Sequence, residues 1–286
     1  AASRASAPGR AAPAASSRRS ARRAGRRATA RPPRKEAFTQ QPTAAPGRFA
    51  SDEVSHGDFL RRFVSAGQPA IISQGCVDPA VSAFWTRGRL LKQRSARVSV
   101  GEIPYAQLYG RRSTKMPLHD FVAEHMGNQT STLLAFDAEV LARPDSDLSQ
   151  AARFSASLAA LAGSDLSPNA SEPAVSLRQL SLGGPGSGAP MHFHGHALNA
   201  LVYGLKRWLL FPPGSTAAAA AFSSTPAAEF FRDGLPAAAS AEGALGFLQR
   251  AGECVYVPQH WAHATLNLAD SVSFAVELRS FRVRAG

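Results

Sequence analysis

Three histidines fall within five residues in HFHGH, positions 192–196, of a chain that has only eight. On a strand, alternate side chains share a face, so His192 and His194 project together while Phe193 points away. Two imidazoles so placed can grip one metal ion from a single strand. Gly195 lets the chain bend, which makes His196 a rim residue rather than a ligand. A metal site needs a further ligand from elsewhere. The stretch GECVYVPQHWAHATLN, 252–267, offers His260 and His263. It reads as a turn at Gly252, a strand through Val257, a break at Pro258, and a second strand carrying His263. His260 is assigned to the rim. Three imidazoles from two distant strands leave coordination positions open, which is the arrangement of a catalytic site rather than a closed structural one. Taken alone, HFHGH equally fits a solvated loop or hydrogen-bonded core histidines.

The elements that must deliver these side chains are short and apolar. From Ala174 onward, VSLRQLSL, MHFH, NALVYG, KRWLLF, CVYVP, ATLNL and SVSFAVEL follow one another, with Gly, Pro or polar residues between most of them. That texture marks an all-β sandwich or barrel. Residues 214–250 interrupt it with Ala-rich, helix-prone sequence, read as a rim, a lid or a loop. Upstream, a helix is expected from Ser51, with Val54, Phe59, Phe63 and Val64 at helical spacing. PAIISQG and ARVSVGE read as strands. SAFWTRGRLLKQ, PLHDFVAEHM and Asp145–Gly163 read as helices. His56, His119 and His125 carry no assigned role.

The net charge of +12 belongs to one end. Residues 1–50 hold twelve of the 32 Lys and Arg but one of the 20 acids, so the remainder is nearly neutral. The Ala/Arg/Ser/Pro-rich stretch 1–50 lacks apolar periodicity and is expected to be a disordered basic tail. Residues 51–286 are expected to form one domain, with a helical and mixed part over 51–173 and a β-barrel core over 174–280. The tail is open to three roles: a targeting remnant, a phosphate-binding arm or a spacer. Nucleic acid is therefore expected only through the tail. The chain begins with Ala1 rather than Met, which leaves room for a cleaved leader. No apolar run approaches the ~20 residues of a membrane helix, and no membrane span is expected. Two cysteines, Cys76 and Cys254, exclude a Cys-based zinc module and leave their pairing open. Asn128 (NQT) and Asn169 (NAS) sit in glycosylation sequons.

The two histidine segments resemble the two cupin motifs. Gly186 lies five residues before His192-x-His194, and Gly252, Pro258, His263 and Asn267 follow the second motif's spacing. Asn199 stands where the first motif has Glu, and His260 where the second has Gly. NALVYGLKRWLLFPP followed by GECVYVPQHWAHATLNL is more closely similar to the Jumonji-C branch. The likeness runs over about 55–280, strongest at 183–213 and 250–275. It implies a mostly β fold with flanking helices, the double-stranded β-helix or jelly-roll. It also implies Fe(II) and 2-oxoglutarate as cofactors, and oxygenase activity on a protein side chain.

By position, the resemblance places metal ligands at His192, His194 and His263. It places the lysine for the outer carboxylate of 2-oxoglutarate at Lys206, and pocket-lining amides at Asn199 and Asn267. The second ligand of that branch is Asp or Glu, and here it is His194. Three neutral imidazoles leave the metal at 2+, which suits copper, nickel or zinc as well as iron. That departure keeps an alternative open: a catalytically inactive member acting as a regulatory or interaction protein with a structural or vestigial metal site. Protein partners or substrates are expected in either case. The endoplasmic reticulum or secretory lumen is the favoured compartment, with another organelle as the alternative.

Overall fold

Alternation along each strand decides what faces the site and what faces the helices. The computed structural model describes residues 44–163, 175–221, 224–234 and 243–278. Within them the strands are β1 (Gly47–Ala50), β2 (Ala70–Gln74), β3 (Arg97–Gly101), β4 (Ser113–Pro117), β5 (Leu134–Asp137), β6 (Val175–Gly183), β7 (Gly188–His192), β8 (His196–Tyr203), β9 (Leu205–Phe211), β10 (Leu245–Arg250), β11 (Cys254–Val257), β12 (Ala262–Asn267) and β13 (Ser271–Leu278). They form two sheets. The larger runs β1-β2-β11-β8-β13-β6-β5-β3-β4 and the smaller β10-β9-β12-β7. The fold is mostly β with flanking helices, a jelly-roll of the cupin type.

On β6, Leu180 and Leu182 are fully buried toward the helices, while Gln179 and Ser181 line a cavity between the sheets. On β13, Val272, Phe274 and Val276 take the helix side and Ala275 and Glu277 the cavity side. The outer layer comprises α1 (His56–Phe59), α2 (Pro79–Phe84), α3 (Arg87–Leu90), α4 (Leu118–Glu124), α5 (Asp147–Ala151) and α6 (Ala156–Ala162). It contributes Phe59, Val81, Leu90, Phe121 and Leu158 to the same core. Each such side chain, fully buried, stabilises the fold by about 1.5–3 kcal/mol. The small sheet buries its own outer face, Leu209, Phe211, Ala264 and Leu266, under Phe230 and Phe231. Those two follow α7 (Thr216–Ala221) and α8 (Ala227–Glu229).

Several expectations change. The segment read as one helix over SAFWTRGRLLKQ divides into α2 and α3. Trp85 turns out of the helix to donate its indole N–H to Ala151 O at 2.9 Å, and Thr86 caps the next helix through Arg89 N. Asp145–Gly163 divides likewise into α5 and α6. Ser155 caps α6 by accepting from Leu158 N, and Arg178 donates to the carbonyls of Ser149 and Ala152 at the end of α5. Local helix propensity is worth a few tenths of a kcal/mol per residue, so such tertiary bonds override it. Within the Ala-rich insert, Leu245–Arg250 is not helix-prone rim but β10, paired with β9. Gly47–Ala50 pairs in parallel with β2, so folded structure reaches into the stretch read as tail. Residues 1–43 of that stretch lie outside the described residues.

Cys76 and Cys254 pair, with both residues fully buried and Cα atoms 5.8 Å apart, inside the normal range for a bridge. The bond ties the segment after β2 to β11 across 178 residues. Closing a loop of that length restricts the unfolded chain enough to stabilise the fold by roughly 5 kcal/mol. The urea midpoint of the oxidised protein should therefore fall sharply on reduction. A midpoint indifferent to reductant would show that the bond contributes nothing.

Candidate metal centre

His192 ends β7, and His194 lies two residues beyond it in the loop, not on the same strand as its spacing suggested. His263 lies on β12 directly opposite His192 in the antiparallel ladder. One ligand atom from each of the three lies within 4.8 Å of the other two. The ring centroids are 4.1 Å apart for His192–His263, 4.7 Å for His194–His263 and 5.5 Å for His192–His194. Zinc–imidazole bonds are about 2.0–2.1 Å, so the three ligand atoms lie near the spacing that a single ion requires.

The tautomers are set by the backbone. His192 Nδ1 meets Pro190 O at 2.8 Å, His194 Nδ1 meets Gly195 O at 2.8 Å, and His263 Nδ1 meets Trp261 O at 3.0 Å. A carbonyl only accepts, so each Nδ1 carries the proton, which puts the lone pair of each neutral ring on Nε2. A backbone carbonyl on the far nitrogen is also how metal-bound histidines are held. Burial, then the neighbouring His194, lowers the pKa of His192 to about 4. Burial, with His192 and His194 beside it, holds His263 well below the usual range. Both are neutral at neutral pH, as ligation requires. The donor set therefore fits a divalent metal.

A cavity of about 250 Å³ opens from these rings. Lys206 on β9 lines it, 4 % exposed, with its Nζ donating to Ser273 Oγ at 2.9 Å. No carboxylate among the described residues pairs with it, and burial lowers its pKa from 10.5 to about 8. Asn199 on β8 also lines the cavity, with its Oδ1 buried and unpaired. Asn267 departs from its expected place. It shares the face of Lys206 but is not a lining residue; its Nδ2 donates to Ser187 Oγ at 2.9 Å beneath the floor. His196 does not line the cavity; it turns to the other face of the sheet, where its ring stacks on buried Tyr256 with its Nδ1 2.8 Å from Tyr256 Oη. His260 is exposed with a positive φ of 67°, its backbone N–H donating to His194 O.

Further side chains surround and support the rings, beginning with Trp208 of the KRW stretch, expected as barrel-wall packing. Trp208 stacks on His263 with centroids 5.7 Å apart, and its indole N–H donates to Gln249 Oε1 at 2.8 Å. Gln249 lies on β10, the strand missed within the Ala-rich insert. Its Nε2 bonds the carbonyls of Asn199 and Glu253. On the opposite wall, Gln179 donates to Tyr105 Oη, and Tyr105 packs edge-on against Phe136. Tyr105 has φ 51°, a left-handed conformation unusual outside glycine. The alternation of SVSFAVEL signals one polar face on β13, but not that this face meets a metal site.

Over 240 residues the chain is 30 % identical to JmjC domain-containing protein 8 of Homo sapiens, covering 79 % of this chain and 85 % of that protein. The chain belongs to the Jumonji-C domain family. This Jumonji-C chain is also 26 % identical to the Arginine-specific demethylase JMJ22 of Arabidopsis thaliana over 77 % of its own length and 43 % of that protein. It is 30 % identical to the 2-oxoglutarate and iron-dependent oxygenase JMJD4 of Gallus gallus over 34 % of its length and 25 % of that protein. No family model matches the chain. No described helix is long and apolar enough to cross a membrane.

Proposed function

We propose that this Jumonji-C chain is a metal- and 2-oxoglutarate-dependent oxygenase that hydroxylates a side chain of a protein. One observation carries the reading. Three imidazoles with tethered Nδ1 atoms gather at the same cavity as a buried ammonium that has no carboxylate partner among the described residues. The chicken relative, a 2-oxoglutarate and iron-dependent oxygenase, supports the same cofactor pair.

His192, His194 and His263 would hold the metal, which when bound supplies a centre for activating dioxygen. Lys206 and Ser273 supply the counter-charge and hydroxyl for the outer carboxylate of 2-oxoglutarate, deep in the cavity. Asn199 offers an amide to the same ligand. Trp208 excludes water and holds the His263 ring in place. Tyr105, Tyr109 and Phe193, all exposed yet lining the cavity, form an aromatic mouth for a substrate polypeptide. The buried Cys76–Cys254 bond supports a home in the secretory lumen, because disulfides persist in oxidising compartments.

The second reading, an inactive interaction protein, is favoured by one residue. His194 stands where the branch has a carboxylate, so nothing offsets the metal's charge. The full chain, loaded with iron(II) and given ascorbate, 2-oxoglutarate and candidate protein substrates, is expected to form succinate. Succinate appearing only in His194→Asp would reject the native oxygenase and favour the second reading.

A further inference from the structure

We propose that Asn128 carries an N-linked glycan, and this inference is independent of the oxygenase reading. Asn128-Gln129-Thr130 is a sequon, and such a motif requires a surface loop in a secretory protein. The structure provides that loop directly after α4, with Asn128, Gln129 and Thr130 all exposed. Asn128 Oδ1 accepts from Thr130 N at 3.0 Å and from Thr130 Oγ1 at 2.8 Å, an Asx turn that holds the hydroxyl against the amide. Its Nδ2 makes only a long contact, 3.3 Å to Glu124 O. Attachment there disturbs no buried group.

The compartment has a separate support in the fully buried Cys76–Cys254 bond. The position also leaves the cavity free. Gly127 N donates to Asp270 Oδ1 at 2.8 Å, and a Cβ on Gly184 would sit 3.7 Å from Asn128 O. The loop thus packs on the turns at the end of the barrel where β7 begins and β12 ends. His192 and His263 lie four residues away at the opposite ends of those strands, about 13 Å at 3.3 Å per residue. A glycan on Asn128 projects from the closed end, not over the mouth at Phe193 and Tyr105.

In the transfer, the amide nitrogen of Asn128 bonds to the anomeric carbon of an oligosaccharide carried on a lipid diphosphate. The carbon–oxygen bond to phosphate breaks, the lipid diphosphate leaves with the electron pair, and the amide loses one proton. No oxidant or reductant is involved.

The test uses the full chain isolated from the cells that make it. Peptide N-glycosidase should raise its mobility and convert Asn128 to Asp, read by peptide mass. Asn128→Gln and Thr130→Ala should each lose the glycan at this site, and Thr130→Ser should keep it. Recovery of Asn128 as unmodified Asn overturns the proposal. So does a glycan confined to Asn169, a sequon outside the described residues.

Discussion

Alanine in place of His263 is expected to abolish metal binding. The wild-type chain should bind one equivalent of iron(II) or zinc and gain thermal stability with it. Ligand binding to the folded state alone stabilises by about 2.7 kcal/mol at a hundred times Kd. His263 is the most buried of the three rings and the closest partner of His192 in the ladder. Loss of an outer partner of a metal ligand already costs about 10–100-fold in affinity, and loss of a ligand should exceed that. The variant should therefore show no metal-dependent shift in Tm and no succinate, on a metal-free Tm lowered by the cavity that the ring leaves. Full metal occupancy in His263→Ala, measured by elemental analysis, would refute the site.

Lys206→Met should separate stability from function. In the wild type the ammonium is buried with no ion-pair partner among the described residues, and burial lowers its pKa from 10.5 to about 8. A tenfold loss of proton affinity corresponds to about 1.4 kcal/mol, so holding this charge at neutral pH costs about 3 kcal/mol. Between about pH 8 and 10.5 the unfolded chain keeps the proton that the folded chain has lost. Stability therefore rises with pH across that window, and the full cost applies below it. A buried methionine of similar length removes the cost. Lys206→Met should be more stable than the wild type at pH 7 by up to about 3 kcal/mol, and its stability should lack the rise above pH 8.

The same substitution should cripple 2-oxoglutarate binding. Truncating one member of a buried charge pair costs about 2–5 kcal/mol, or roughly 30- to 3,000-fold in Kd. Binding of the dicarboxylate favours the charged amine, so wild-type affinity should fall as pH rises through about 8. Calorimetric titration at several pH values, together with urea denaturation, checks both halves. A variant that binds 2-oxoglutarate as tightly as the wild type would remove Lys206 from the site.

The candidate metal ligands were legible because their pattern is local. The two-residue spacing brings His192 and His194 to one site even though the strand ends at His192 and His194 lies in the loop beyond it, and Pro258 separates the strands that carry Val257 and His263. Lys206 and Asn199 were legible only through the Jumonji-C resemblance, since neither KRW nor NAL signals a ligand by itself. The disulfide, the break of two helices at Trp85 and Ser155, and the strand Leu245–Arg250 were not legible. Each depends on a bond to a residue far along the chain. The same holds for the site's supports. Gln249 anchors Trp208 from a strand 41 residues away, and Tyr105 reaches Gln179 across 74. Asn267 shows the limit from the other side, because its alternation is right and the cavity floor stops short of it. Sequence thus determined which side chains share a strand face. The closing of two sheets over each other decided which of those faces enclose the cavity, because enclosure is set by contacts between segments that no local period encodes.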